Sequence, residues 1–381
     1  MALIMEMRDE QGKQQPGQQT CCGVRSFWEW LKKTVVVTRG MRLFLKWASV
    51  VYVAGLVLLL AYLDRYGGSG SISGFFLFIP PFVWLVPMVA LLPLSAFLYP
   101  RACWLYAVAI MLSLAYTYKN AGGHPIAGQE DLVILSNNLA DRTLNDFWKF
   151  FDEQKPDIAA LQYDYMLNGV GRVGFYKTRV SEFGLFSKYP IMQSEGVPGM
   201  VGERGFIAAR FVVDFKGQPI AIYSVHMPTP RWVILGLYSD TRPFSTELGK
   251  VTVTRNGAEN YSRYWERRRE LNKILLDALE MEKLPFIVVG DFNMPDHGVL
   301  YREWRSCFQD VFTECGKGTG LSFPGGMDPF FKLRGPWFRI DYQFCGKEWL
   351  PLSLQVESCK TAKHLALVGR YHFVNKAETP K

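Results

Sequence analysis

The stretch Phe286–Pro295, FIVVGDFNMP, decides the fold, because an apolar run of strand length breaks at Gly290 into an acid, an aromatic, an amide and a proline. Phe286, Ile287, Val288 and Val289 are bulky or β-branched without polar alternation, which suits a strand buried on both faces. Gly290 lets the backbone turn, so Asp291 and Asn293 emerge together at the strand's C-terminal end. An acid and an amide fixed there can hold a water or a metal against a phosphate. A strand followed by an Asx turn is the plainer alternative. What decides between them is the set of polar residues at the ends of the other strands.

The 381-residue chain is 49% apolar and 15% aromatic, which is rich for a purely soluble protein. The excess is concentrated near the N-terminus. Trp47–Leu63, WASVVYVAGLVLLLAYL, carries no charge across seventeen residues, a slightly short membrane span. Phe75–Tyr99 is a second apolar run, interrupted by Pro80, Pro81, Pro87 and Pro93, and a third follows Arg101. Three runs separated by short loops predict membrane spans over about 47–63, 75–99 and 102–118, the middle one kinked or re-entrant. Residues 1–46 form a basic tail with eight Lys or Arg against four acids, which places the N-terminus in the cytoplasm and, after three spans, the remainder outside it. The expected partner of this region is the lipid bilayer. The tail accounts for half of the net charge of +8, so the rest is too modestly basic to argue for a nucleic-acid groove.

Residues 119–129, KNAGGHPIAGQ, read as a linker, and residues 130–381 are enough for one large core. Strand patterns recur at Asp131–Leu135, Ile158–Leu161, Phe183–Phe186, Ile207–Val213, Pro219–Val225, Phe338–Phe344, Leu352–Val356, Leu365–Val368 and Tyr371–Val374. A helix over Tyr261–Glu282 has Leu271, Ile274, Leu275, Ala278 and Leu279 on its buried face, leaving Arg263, Arg267, Arg268 and Arg269 for solvent or, for one of them, a phosphate. Cys307, Cys315, Cys345 and Cys359 lack metal-site spacing and read as free thiols.

Asn138, Tyr163, His226, Asp291, Asn293, Asp341 and His364 all fall at or near predicted strand ends. The motifs LVILSNN, PDIAALQ, FSKYPI, YSVHMP, VVGDFN, RIDYQF and TAKHLAL occur in an order that resembles the endonuclease/exonuclease/phosphatase superfamily, over about Glu130–Phe373. The resemblance implies a four-layer α/β sandwich, two mixed sheets flanked by helices, here preceded by an all-α transmembrane region of about three helices. It implies that Asn138 and Asn293 position phosphate and water, that Asp291 orients the nucleophilic water, that Asp341 holds His364, and that His226 is a second phosphate-facing histidine. Mg²⁺ or Mn²⁺ is the cofactor so implied, with Asp291 and Asn293 as ligand candidates.

Two positions depart from the family pattern. Where the family has LQE this chain has LQY, so Tyr163 replaces a metal-binding glutamate, and where it has SDH this chain has AKH, so Lys363 replaces a metal-binding aspartate. A phenol is a poor ligand for Mg²⁺. Three consequences stand open: the Lys363 ammonium pairs with Asp291 or Asp341 and supplies the missing charge, Asp164 shifts in as a ligand, or Lys363 faces solvent. The resulting expectation is a membrane-anchored phosphoesterase acting on a phosphodiester, phosphomonoester or pyrophosphate. Its architecture resembles bacterial membrane proteins of the glycopeptide-resistance type, which suggests a lipid-linked phosphate. The alternatives are a catalytically inactive, membrane-tethered module binding a phosphorylated ligand or partner, and an extracytoplasmic nuclease. The segment Arg231–Asn260 is expected to cover the site.

Overall fold

A computed structural model describes residues 39–140, 144–164, 170–198, 205–230, 257–326, 334–357 and 363–374. Most of the basic tail, most of Arg231–Asn260 and Cys359 lie outside these. The chain divides into two compact units, one of Met1–Leu56 with Leu85–Met111 and one of Val57–Trp84 with Leu112–Lys381.

The N-terminal region is helical: α1 Arg39–Tyr66, α2 Ser71–Leu77, α3 Val86–Leu98 and α4 Cys103–Thr117, with 3₁₀ turns over Pro81–Leu85 and Pro100–Ala102. Gly40–Tyr66 and Pro81–Leu98 are long and apolar enough to cross a membrane. Their apolar side chains are turned outward: Leu58 is 71% exposed and Val89 70%. The run expected over 75–99 is not one helix. Its prolines remove backbone donors and confine φ, so α2 ends at Leu77, the 3₁₀ turn begins at Pro81, and α3 carries Pro87 in its first turn and Pro93 within it. Within the first unit, the buried Tyr106 hydroxyl meets Ser49 Oγ at 2.6 Å and Ser95 Oγ at 2.9 Å, joining α1, α3 and α4 through polar groups that lipid could not satisfy.

The second unit alternates strands and helices: β1 Leu132–Asn138, α5 Leu144–Gln154, β2 Ile158–Gln162, β3 Tyr176–Val180, β4 Phe183–Ser187, β5 Ile191–Pro198, β6 Phe206–Phe215 and β7 Gln218–His226. Then follow α6 Gly257–Glu280, β8 Phe286–Asp291, α7 Val299–Cys307, β9 Gln309–Asp310, α8 Val311–Cys315, β10 Asp341–Cys345, β11 Trp349–Glu357 and β12 Ala366–Phe373. Two six-stranded mixed sheets result, in the orders β11-β12-β1-β2-β4-β3 and β5-β6-β7-β8-β10-β9. Each is a hairpin beside a parallel pair, β1 with β2 and β7 with β8, flanked in turn by two antiparallel strands. The sheets therefore repeat one topology.

Strand residues of one chemical type serve two different cores, because successive side chains face opposite ways. Ile134, Ile158, Ile222, Ile287 and Val289 form the core between the sheets. Val133, Leu135 and Leu161 meet Phe147 and Phe151 of α5 on one outer face, while Val288, Tyr342 and Phe344 meet Leu271, Leu275 and Leu279 of α6 on the other. These are the four layers of the expected sandwich. Residues 119–129 run along this unit, with Ile126 N–H donating to Leu352 O at 2.7 Å and Gly122 N–H to Gly318 O at 3.3 Å. Cys307, Cys315 and Cys345 are free thiols.

Candidate functional site

The parallel pairs bring their C-terminal ends to the same end of the sandwich. In the second sheet β7, β8 and β10 place His226, Asp291 and Asp341 in register across three adjacent strands. Gly290 makes this possible: its φ is +136°, and a Cβ there would lie 2.1 Å from Val225 O, so β7 and β8 approach closely only because position 290 carries none. After Asp291, Asn293 takes a positive φ of 45°. This bends the chain back so that its own amide N–H donates to Asp291 Oδ1 at 2.8 Å and its side-chain Nδ2 to Oδ2 at 3.1 Å.

From the first sheet, Asn138 at the end of β1 donates through Nδ2 to the same Asp291 Oδ2 at 3.0 Å. His364 precedes β12, and its carbonyl accepts from Asn137 Nδ2 at 3.2 Å, so β1 fixes its backbone. Its Nδ1 lies 3.1 Å from Asp341 Oδ2, and Ser322 Oγ donates to that oxygen at 2.6 Å. An Nδ1 facing a carboxylate carries the proton, which turns Nε2 toward the site. Nε2 lies 3.7 Å from Asp291 Oδ2.

A second pair repeats this arrangement. His226 Nδ1 is 2.8 Å from Glu182 Oε1, and His226 Nε2 is 3.7 Å from Asp291 Oδ2. Burial would lower both imidazoles, yet the Glu182 charge and hydrogen bond, with Asp291 and Asp341 behind them, raise His226 above its ordinary value. Asp341 and Asp291 do the same for His364 against its burial. Two imidazoles, each held by its own acid, thus face one carboxylate oxygen.

The structure brings together Asn138, His226, Asp291, Asn293, Asp341 and His364. Tyr163, with φ 56°, lies at their edge, its ring edge-on to His226 with centroids 4.9 Å apart. Asp164 turns elsewhere: it is buried beneath Gly184, and its carboxylate lies 3.6 Å from Lys177 Nζ. Burial raises its carboxyl above the ordinary value despite that lysine. Lys363 is exposed, and its carbonyl accepts from Gly325 N–H at 2.6 Å. The two buried acids are met by the asparagines, Ser322 and the histidines.

Sequence reasoning missed Glu182 and misplaced Arg268. Glu182 follows a turn residue and carries no motif. Its position follows from register: Gln162 pairs with Phe183, so the residue before Phe183 stands beside Tyr163 on the neighbouring strand. Arg268, expected on a solvated face, is 3% exposed, and its Nη2 donates to Phe292 O and Asn293 O. The Glu266–Arg267 side of α6 faces solvent while Arg268 falls on the helix face that carries Leu271 and Leu275, one turn on.

Among the described residues, Asp291, Asp341 and His364 are the one group whose ligand atoms all lie within 4.8 Å of one another. Two carboxylates and an imidazole fit a divalent cation in charge and donor type.

Residues 135–362 match the family model described as Endonuclease/Exonuclease/phosphatase family. No curated protein sequence matches the chain. Among solved structures, an endonuclease/exonuclease/phosphatase family protein from Leptotrichia buccalis is 14% identical with a TM-score of 0.44, covering 64% of this chain and 100% of its own. The mannosyl-6-phosphatase Bt3783 of Bacteroides thetaiotaomicron is 14% identical with a TM-score of 0.43, at 64% and 100% coverage. The human Nocturnin catalytic domain with bound sulfate is 15% identical with a TM-score of 0.40, at 64% and 94% coverage.

Proposed function

The chain belongs to the Endonuclease/Exonuclease/phosphatase family, and from that premise we propose that it is a membrane-anchored phosphoesterase acting on a phosphate ester or pyrophosphate, with a lipid-linked phosphate as the favoured substrate. One observation carries the reading: the Nε2 atoms of His226 and His364, each backed by a carboxylate, both lie 3.7 Å from Asp291 Oδ2. Hydrolysis of a phosphate needs a water aimed at phosphorus and positive or hydrogen-bonding groups around the oxygens where charge develops.

Asp291 is the group that takes the proton from that water. Asn138 and the Asn293 backbone amide hold its two oxygens so that the carboxylate cannot rotate. His226 donates from Nε2 toward the phosphoryl oxygens, His364 does the same wherever its Nε2 does not hold an ion, and Glu182 and Asp341 set their ring orientation. A divalent ion held by Asp291, Asp341 and His364 would supply further charge neutralisation at the phosphate. The lipid-linked substrate rests on the two apolar helices of spanning length.

The test is phosphate release by the detergent-solubilised full-length chain from a prenyl pyrophosphate and from bis(4-nitrophenyl) phosphate, with Mn²⁺, with Mg²⁺ and with chelator. Asp291→Asn and His364→Ala are each expected to reduce release by about 100-fold or more. Turnover of neither substrate under any condition would overturn the proposal in favour of a binding module, the reading that Tyr163 and Lys363 at the family's ligand positions favour. A strong preference for the diester would point to the nuclease.

A further inference from the structure

The segment that follows the catalytic loop is tied to the ends of two apolar helices. Helix C-termini leave backbone carbonyls unpaired and carry the negative end of the helix dipole. Here side chains from residues 296–302 meet them. Arg302 donates to Asp64 O and, at 2.8 Å, to Arg65 O in the last turn of α1. His297 Nε2 lies 2.6 Å from Tyr116 O in the last turn of α4. Its ring stacks on that of Tyr116, with centroids 4.0 Å apart and planes 20° apart. His297 Nδ1 lies 2.9 Å from Asp296 Oδ1, so both ring nitrogens face acceptors, which an imidazolium alone satisfies as a double donor. The backbone takes part as well. Val299 N–H donates to Gly67 O at 2.9 Å, and Asn120 Nδ2 donates to Asp296 O. Gly298 has φ +88°, and a Cβ there would stand 2.3 Å from Gly67 O, so the close approach requires glycine at that position.

On the inner side the same loop is fixed by Arg268 on the carbonyls of Phe292 and Asn293, and by Tyr342 OH donating to Met294 O at 2.7 Å. Residues 291–297 are therefore a short span held at both edges, and Asn293, with its positive φ, is itself one of the points held on the inner side. We propose that His297 is a positioning residue: its clasp on Tyr116 holds the loop that carries Asp291 and Asn293, and makes the ends of the apolar helices part of the catalytic unit. This rests on the phosphoesterase reading for its effect on turnover, but not for its effect on the loop.

The experiment uses the full-length chain in detergent and compares the parent with His297→Ala, His297→Gln and Tyr116→Leu. Hydrogen exchange is followed at amides 291–299 and in β1 and β2, and turnover is followed with the prenyl pyrophosphate and with bis(4-nitrophenyl) phosphate. His297→Ala is expected to lose protection at 293–299 while keeping it in β1 and β2. Its kcat should fall about 10- to 100-fold with KM within about twofold, since a displaced catalytic group costs turnover rather than binding. His297→Gln, whose amide nitrogen reaches the same carbonyl, should recover most of both. Tyr116→Leu, which removes the stacked ring from the helix side, should move both readouts in the direction of His297→Ala. Unchanged exchange and kcat in His297→Ala would overturn the proposal, and so would protection lost equally throughout β1 and β2. If the parent hydrolyses no ester, the phosphoesterase reading fails, while exchange at 293–299 still decides whether the clasp exists.

Discussion

At the scale of single residues, the site is two acid–imidazole pairs arranged around one carboxylate, and the pairs are not equivalent. Asp341 is 4% exposed and held by Ser322, whereas the Glu182 side chain keeps 12% exposure at a turn. Asp341→Asn presents an amide that can donate to His364 Nδ1, favouring the wrong tautomer, and is expected to lower kcat by about 10²- to 10⁴-fold. Glu182→Gln keeps a side-chain carbonyl that can accept from His226 Nδ1, so a loss of about 10-fold is expected. Steady-state turnover of the two variants in one assay checks the order, and equal losses would show that the pairs share one role. The residues legible in the sequence were those whose type is unusual at the end of an apolar strand: Asn138, His226, Asp291, Asn293, Asp341 and His364. Glu182 was illegible because its meaning lies in the pairing of β2 with β4, and no local pattern encodes which strands become neighbours.

At the scale of elements, strands buried on both faces were readable as apolar runs, while β3 and β5 were not. Both are largely exposed edge strands, with YKTRV and IMQSEGVP offering neither a continuous apolar run nor clean alternation. β12 reads as two strands because Gly369 interrupts it, yet it pairs continuously with β1. Helix α6 was readable from its leucines, but its attachments were not. One holds its C-terminal end: Glu282, 5% exposed in its side chain, accepts from Arg210 Nε of β6 at 2.6 Å, Tyr223 OH of β7 at 2.8 Å and Leu284 N–H at 3.0 Å. Burial alone would raise this carboxyl, but the hydrogen bonds from Arg210, Leu284 and Tyr223 outweigh it and hold it at about 2, below its ordinary 4.5. A carboxyl depressed on folding contributes stability that is complete above its ordinary value and lost as pH falls through the folded one. Glu282→Gln is therefore expected to cost about 3 kcal/mol at pH 7, with the difference from the parent shrinking between pH 4.5 and 2. Denaturant titrations across that range measure it, and a pH-independent difference would contradict the assignment.

At the scale of the whole molecule, connectivity bears on which side of a membrane the domain lies. The ends of α1 and α4 are both held by residues 296–302 of the domain, at Asp64, Arg65 and Gly67 on one and Tyr116 on the other. The last turn of α1 and the last turn of α4 therefore lie on the domain's side. Helix α1 spans 28 residues, about 42 Å, enough to cross the hydrocarbon core of about 30 Å. The 13 residues of α3 and the 15 of α4, about 20 and 23 Å long, form a hairpin between them. If α1 crosses a membrane, a hairpin that crosses twice, turns back within it or stays out of it leaves the parity to α1, and the domain is then expected opposite the basic tail. In sealed, right-side-out vesicles, a tag placed after Lys381 should be open to added protease and one placed before Met1 protected. Protection of both tags would refute this topology. The hairpin has its own readout, because Arg101 sits at its turn. Arg101→Cys, in a chain whose native cysteines are replaced by alanine, should be labelled by a membrane-impermeant maleimide only from the tail's side if the hairpin crosses, and from neither side if it stops within the bilayer. Labelling from the domain's side would mean that the hairpin never enters the membrane, and that α1 is the chain's sole anchor among these helices.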